Sequence, residues 1–589
     1  MKQSNDNPAD SGRGRLECLD ATNFKLMKKR KPGLVLNWLN IYWLVLIPLI
    51  FLGIFYFYPL FKIFLLSLMP EDKWDLSVFL NLISTSYYLN ILWFTFWQAA
   101  VSTILTIISA LPGAYIFACY RFWGKDILQA FTTIPFVLPT VVVAAAFQAF
   151  LGSHGLVNSW LIKCFNLSSP PIAIDRSIWF ILLAHIFYNY TIVLRMVGGF
   201  WAQMENQLND AALMLGASPF TIFYKITLPL LRPVIFAAGL LVFIFCFSSF
   251  GVVLILGGPQ FATLEVEIYR QAVNFFNLPL AAALSLIQIF FTFVLMWVYT
   301  VVQRKTAVSL NPESPVYSQK TPVLLKEKMI VGINIIFMII LLVFPLAALV
   351  IQSFFSEHGF SLVYYTALFE NNSSSIFFIQ PGKAIFYSLA IACAALLMAL
   401  SLGSMGAVFL AKSKTRLSSF IDPLFMLPLS TSAVTLGFGF IIALDEPPLN
   451  LRTSIILVPI AHTLAAFPFV VRSLVPALRS IPPNLREAAA LLGASPWKVW
   501  KAVDLPIVGR ALTVAAVFAF TVSLGEFGAT VFIARPQIPT MPLAIYRFLG
   551  QPGAMNYGQA MAMSSLLMMV TGAGFLFLEK LRKDRAGEF

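Results

Sequence analysis

The sequence predicts an all-α polytopic membrane protein of about 12 spans, built as two parallel six-helix repeats. Three observations carry that expectation. The 589 residues are 59% hydrophobic and only 11% charged, and a soluble chain of that length could not cover such a surface. Apolar runs that reach the roughly 20 residues needed to cross a bilayer recur along the whole chain. One stretch also occurs twice at a fixed offset. Asp210-Ala211-Ala212-Leu213-Met214-Leu215-Gly216-Ala217-Ser218-Pro219 matches Glu487-Ala488-Ala489-Ala490-Leu491-Leu492-Gly493-Ala494-Ser495-Pro496, 277 residues further on.

The elements follow in order. A polar, basic tail occupies 1–37, with Lys25, Lys28, Lys29, Arg30 and Lys31 near its end. It lacks the short apolar core and small-residue cleavage site of a cleavable signal. The first repeat, 38–303, contains apolar runs near 41–68, 91–119, 127–151, 178–200, 233–257 and 281–302. A polar linker, 304–328, holds Arg304, Lys305, Asn311, Pro312, Pro315 and Lys320. The second repeat, 329–579, has runs near 329–354, 383–411, 420–443, 454–474, 511–534 and 560–578, and a basic tail, 580–589, closes the chain. The five cysteines (Cys18, Cys119, Cys164, Cys246 and Cys393) show no paired spacing. They indicate neither a disulfide framework nor a metal site.

The net charge of +14 could suggest nucleic acid, but its distribution points to membrane topology. With the N-terminus inside, about nine of the 40 lysines and arginines fall outside, among them Lys62, Lys73, Lys163, Arg176 and Arg535. Such a bias sets orientation. Both duplicated stretches then lie in cytoplasmic loops, 205–229 and 482–506. An even number of spans per half relates the halves by an axis along the membrane normal.

The duplicated stretch fits one template: acid-Ala-Ala, three residues, Gly, nine residues, Ile or Val, one residue, Leu-Pro. Alanines beside an acid favour helix with little bulk. Gly216 and Gly493 are expected to stop that helix in a left-handed conformation. Ser218-Pro219 and Ser495-Pro496 are expected to start another, with serine capping and proline at the first position. Leu228-Pro229 and Leu505-Pro506 are expected to break it. The offset also pairs His185 with His462, Arg195 with Arg472, Gly251 with Gly528, and Tyr269-Arg270 with Tyr546-Arg547. A persistent offset of this kind marks a duplication.

No catalytic constellation is visible. Gly124-Lys125-Asp126 and Gly382-Lys383-Ala384 lack the upstream glycine and the Ser/Thr of a phosphate loop. There is no His-Glu-x-x-His helix or nucleophile elbow. Any energy source is therefore expected on another subunit, the case of a secondary transporter aside.

The two loops resemble the coupling motif of permease subunits of ATP-binding-cassette importers. The copies depart from it only mildly, with Asp210 in place of the usual Glu and Val503 in place of the usual Ile. The first departure marks the N-terminal loop as the weaker contact. Two permeases fused with six spans each resemble the thiamine and ferric-iron group within the type I importers. Leu183-Ala184-His185-Ile186-Phe187-Tyr188-Asn189 and Leu256-Gly257-Gly258-Pro259-Gln260 are most similar to thiamine permeases. Leu524-Gly525-Glu526-Phe527-Gly528-Ala529-Thr530 is similar to both. The resemblance implies two cytoplasmic ATPase subunits docking on Asp210, Ala211, Ala212, Gly216, Ser218 and Pro219, and on Glu487, Ala488, Ala489, Gly493, Ser495 and Pro496. It also implies ATP and magnesium on those subunits rather than on this chain. A periplasmic or lipid-anchored binding protein is implied outside, with the chain in a bacterial inner membrane and both termini cytoplasmic. Thiamine is the expected substrate, and ferric iron the alternative.

Several polar residues keep two readings. Glu526, with Ser249 as its repeat partner, is either a group on the substrate pathway or a carboxylate hydrogen-bonded between helices. His185 and His462 are either satisfied helix–helix contacts or ligands. Arg195 and Arg472 either snorkel to the interface or position the loops. Tyr269, Arg270, Tyr546 and Arg547 anchor at the outer interface or receive the binding protein. A 12-span secondary transporter is the competing class, and it would need no bent loops.

Overall fold

The computed structural model describes residues 33–583 except 71–72, 205–206, 307–318, 357–358, 371–379, 414, 446 and 448. The basic cluster of the N-terminal tail, Cys18, the middle of the linker and Arg585 lie outside the described residues. Among the described residues eleven helices are long and apolar enough to cross a membrane, and a bent pair, counted as one broken span, brings the number to twelve. In chain order they are α1 Tyr42–Leu68, α2 Ser86–Cys119, α3 Thr140–Phe165, α4 Ile178–Trp201, α5 Pro219–Phe247 and α6 Leu278–Gln303. The second half has α7 Leu325–Phe354, α8 Lys383–Lys412, α9 (Arg416–Ser430 with Ala433–Ala443), α10 Leu457–Arg479, α11 Trp497–Gly525 and α12 Ala554–Phe577. Among the described residues the strands amount to one small hairpin, Phe355–Ser356 with Gly359–Phe360, and a single bridge from Lys320 to Tyr120 at the end of α2.

Some expected spans are cut differently. The run 127–151 is two helices, Lys125–Val137 and Thr140–Leu151, separated by extended Leu138 and Pro139. Proline forces its predecessor out of the helical region. The run 420–443 breaks at the equivalent place and bends by 95°. There Ser432 caps the new helix by accepting from the amides of Val434 and Thr435. The runs 233–257 and 511–534 differ from the spans, which begin and end earlier: α5 runs Pro219–Phe247 and α11 Trp497–Gly525.

The Leu-Pro pairs do not break the helix, contrary to the template's expectation. Pro219–Ile222 continues through a π turn, Phe223–Thr227, into Leu228–Phe247. Pro496–Val499 continues through Trp500–Asp504 into Leu505–Gly525. A proline ring clashes with the carbonyl four residues back, and widening the preceding turn by one residue relieves the clash. Tyr58-Pro59 and Phe344-Pro345 are handled the same way, by π turns Gly53–Phe57 and Ile339–Val343. The duplication thus reaches back to the first span of each half.

Within each half three spans form a close unit: α2, α4 and α5 in the first, α8, α10 and α11 in the second. Small residues let the backbones approach, as expected in lipid. A Cβ on Gly198 would meet the Ala114 carbonyl at 3.3 Å, and one on Gly403 would meet Val470 at 2.6 Å. The first span of each half packs on the other half. Val45, Phe51, Leu52 and Tyr56 of α1 share a core with Ile391, Phe409 and Leu464, and Tyr56 Oη lies 2.5 Å from Thr431 Oγ1. Met338, Leu342 and Leu349 of α7 share a core with Val141, Ala144 and Phe147 of the first half, and with Ala560 and Leu567 of α12.

Candidate functional site

The two duplicated loops fold alike. Helices Gln207–Met214 and Pro483–Leu491 carry the acid-Ala-Ala segments. Each ends at its glycine in a left-handed conformation, with φ of 81° at Gly216 and 79° at Gly493. The hydrogen bonds of the stop are also the same. The amide of Gly216 donates to Leu213 and that of Ala217 to Ala212, while the amides of Gly493 and Ala494 donate to Ala490 and Ala489. Bonds of this kind satisfy carbonyls that a helix end leaves open. The Ser218 hydroxyl then accepts from the Thr221 amide at 3.2 Å, and the Ser495 hydroxyl from the Lys498 amide at 3.4 Å. Pro219 and Pro496 open the helices that become α5 and α11.

The tips expose large apolar side chains. Met214 is 90% exposed, Leu215 88%, Leu491 89% and Leu492 88%. Phe220 and Trp497 flank them, also exposed. Asp210, Ala211, Glu487 and Ala488 are exposed and Ala212 and Ala489 half-buried. An apolar patch held out by a rigid turn marks a surface for a partner. Sequence reasoning named the alanines and glycines and passed over Met214, Leu215, Leu491 and Leu492. No local signal separates them from apolar residues that enter a core or face lipid.

The second candidate region lies where α5 and α11 end, at Phe247 and Gly525. Ser249 follows the end of α5 and Glu526 follows the end of α11. Glu526 is therefore not in mid-span, as its sequence position suggested, but at a break. Short helices Gly251–Leu256 and Thr530–Ile533 restart beyond these breaks. Space there is tight: a Cβ on Gly251 would sit 2.3 Å from Thr140 Oγ1, and one on Gly528 would sit 2.8 Å from Ala433 Cβ. Glu526 Oε1 accepts the Ala529 amide at 2.8 Å. Ser249 and Glu526 line one cavity of about 350 Å³ together with Thr140, His185, Tyr188, Asn189, Phe250 and Phe527.

An aromatic cluster that includes two of its lining residues stands beside this cavity. Phe250 and Phe527, repeat partners, stack with centroids 5.7 Å apart. Tyr269 packs against Phe250 at 5.7 Å, and Tyr546 against Phe527 at 5.4 Å. Both tyrosines are thus part of the cluster. Arg270 donates to the carbonyls of Gly258 and Pro259 and lines a second, larger cavity of about 570 Å³. Arg547, the neighbour of Tyr546, is half-buried.

Both histidines are held between hydroxyls. His185 lies 2.9 Å from Ser102 Oγ through Nδ1 and 2.9 Å from Ser249 Oγ through Nε2. His462 lies 2.8 Å from Ser523 Oγ and 2.8 Å from Thr530 Oγ1. Each ring therefore fastens a span break to the helices around it. Arg195 donates to Thr133 Oγ1, and Arg472 reaches the Met426 sulfur at 3.1 Å. Each arginine contacts the first segment of the neighbouring broken span.

Comparison with known proteins agrees with this geometry. The thiamine transport system permease protein ThiP of Haemophilus influenzae is 26% identical over 505 residues, covering 84% of this chain and 89% of its own. The ThiP proteins of Salmonella typhimurium and Escherichia coli are 26% and 25% identical, over 84% and 87% of this chain and 89% and 91% of theirs. The family described as "Binding-protein-dependent transport system inner membrane component" matches residues 104–308 and again 399–581. With two such domains, each holding one copy of the duplicated bent loop, the chain belongs to the binding-protein-dependent transport system inner membrane component family as a fused, two-domain permease of the type I ABC importer fold.

Proposed function

We propose that this chain is the transmembrane subunit of an ATP-driven importer that moves thiamine into the cytoplasm. The observation that carries the reading is the duplicated loop, in which the same turn holds an apolar pair outward twice, Met214-Leu215 and Leu491-Leu492. Two copies of one ATPase subunit, bearing ATP and magnesium, dock on Asp210–Pro229 and Glu487–Pro506. Their closure moves the two halves against each other, and the aromatic cluster opens to the outside. A periplasmic or lipid-anchored binding protein delivers substrate there, next to the surface that holds Arg270 and Arg547. Reopening on the cytoplasmic side releases it. The chain sits in a bacterial inner membrane with both termini cytoplasmic.

The substrate assignment is supported by the relatives, which carry thiamine in their names. The central cavity is compatible with it. Phe250 and Phe527 offer ring faces near one carboxylate, Glu526, and a cation near aromatic faces gains by electrostatic attraction. Ser249 and Glu526 are the groups proposed to meet substrate in transit.

The test is uptake into proteoliposomes that hold this chain and its ATPase, with binding protein outside and ATP inside. Labelled thiamine and labelled ferric iron are run in parallel. ATP-dependent thiamine accumulation is the expected result. Accumulation of iron alone would replace the substrate and keep the class. Uptake that ignores ATP would remove the importer class and restore the secondary transporter.

A further inference from the structure

The two coupling loops are alike in backbone and different in how they are fastened. In the second loop Arg486 Nε donates to Asp504 Oδ1 at 2.7 Å. Arg486 lies on the helix Pro483–Leu491, one residue before Glu487. Asp504 closes the π turn that leads into α11, and its side chain is buried. The pair therefore bolts the acid-Ala-Ala helix onto the foot of a membrane span. At the offset of 277 residues the first loop has Asn209 and Thr227 in these places. Neither carries charge. Thr227 is buried at the equivalent π turn, and Asn209 Oδ1 is buried without a hydrogen-bond partner among the described residues.

We propose that Arg486 and Asp504 are positioning residues that make the second coupling loop move as one body with α11, whereas the first loop moves with slack. The inference rests on the coupling reading above and adds an asymmetry to it. A charge-assisted bond between partly buried groups resists separation. Removing either partner leaves the other buried and unpaired. A push received at Leu491 and Leu492 then passes into α11, whose far end leads directly to Glu526. The same push at Met214 and Leu215 is partly absorbed before it reaches α5. Coupling of this kind needs a physical link between the two sites, and the ion pair supplies one.

Two measurements on the full chain test it. The first does not depend on transport. In a background without the five native cysteines, nitroxides are attached through Leu491→Cys and Lys501→Cys in one sample, and through the repeat-equivalent Met214→Cys and Tyr224→Cys in another. The distance distribution is expected to be narrower in the second loop than in the first. Arg486→Ala should broaden it to the width of the first loop, and the charge exchange Arg486→Asp with Asp504→Arg should narrow it again. Asn209→Arg with Thr227→Asp should narrow the first loop.

The second measurement is thiamine taken up per ATP hydrolysed by the complete complex. Arg486→Ala and Asp504→Asn should lower that ratio about fivefold or more, as loss of a coupling free energy does. The ATPase should stay bound in both variants, and the charge exchange should restore the ratio. Equal widths in the two loops, unchanged by Arg486→Ala, would overturn the proposal whatever the transported substrate is. A ratio unchanged in both single variants would also overturn it. Absence of ATP-driven uptake in the unsubstituted complex would instead remove the importer reading and leave the distance measurement to decide the fastening.

Discussion

Gly216 and Gly493 occupy the left-handed region with no atom within 4 Å of where a Cβ would stand, so backbone conformation alone demands glycine. A side chain there costs about 1–2 kcal/mol in the left-handed conformation. Gly493→Val should therefore unseat the turn and lower thiamine uptake while the membrane core stays folded, which uptake and thermal unfolding in detergent can separate. Leu491→Asp with Leu492→Asp removes the apolar tip without touching the turn. The expected outcome is loss of ATPase co-purification with a normal melting profile. The histidines act differently. His185→Ala leaves the hydroxyls of Ser102 and Ser249 facing an emptied site, and each unsatisfied buried group costs about 1–3 kcal/mol. A lower melting temperature is expected, and an equal loss for His462→Ala would show that both breaks are held by the same device.

At the scale of elements, proline decides where helices widen and where they stop. Pro229 and Pro506 sit just after π turns that keep Pro219–Ile222 and Pro496–Val499 continuous with their spans. Replacing Pro506 by Ala removes the clash that favours the wide turn. Relaxation to an α turn shifts the segment before it by one residue, a rotation of about 100°. Uptake should fall although helix content, read by circular dichroism, is unchanged or higher. Pro139 behaves in the opposite manner, with its predecessor extended and the helix interrupted. The sequence shows a proline in both places. It does not show that a neighbouring segment accepts the ends at Pro139, where a Cβ on Gly525 would contact the ring at 3.4 Å.

For the whole molecule, the exchange of first spans ties the halves together. α1 packs on α8 and α7 packs beside α2 and Thr140–Leu151, so neither half contains its own complete core. Cutting the chain within 307–318 should give two fragments that co-purify and transport when made together. Made singly, each should be lost from the membrane, as quantitative blotting would report. If a single fragment persists at normal levels and melts sharply, the exchange is not what holds the protein together. The same exchange gives the aromatic cluster its place, because Phe250 and Phe527 come from different halves and meet only when both are assembled.

Composition and hydropathy alone determined that the chain is helical and lies in a membrane, because lipid satisfies no backbone group and apolar length is the requirement for crossing. The constant offset of 277 residues determined the two halves and their matching loops, down to the Gly216 and Gly493 turns, because those are local and short-range chemistry sets them. Which apolar residues face a partner was not legible at Leu215 or Leu492, since lipid, core and docking surface all select the same side chains. Nor could the sequence place Glu526 and Ser249 at the ends of α11 and α5, or stack Phe250 on Phe527. Those positions depend on broken spans of one half closing against the other, and long-range packing is not written in any local window. Tertiary structure alone decided that α1 and α7 cross over, and that Arg486 meets Asp504 while Asn209 and Thr227 form no equivalent ion pair.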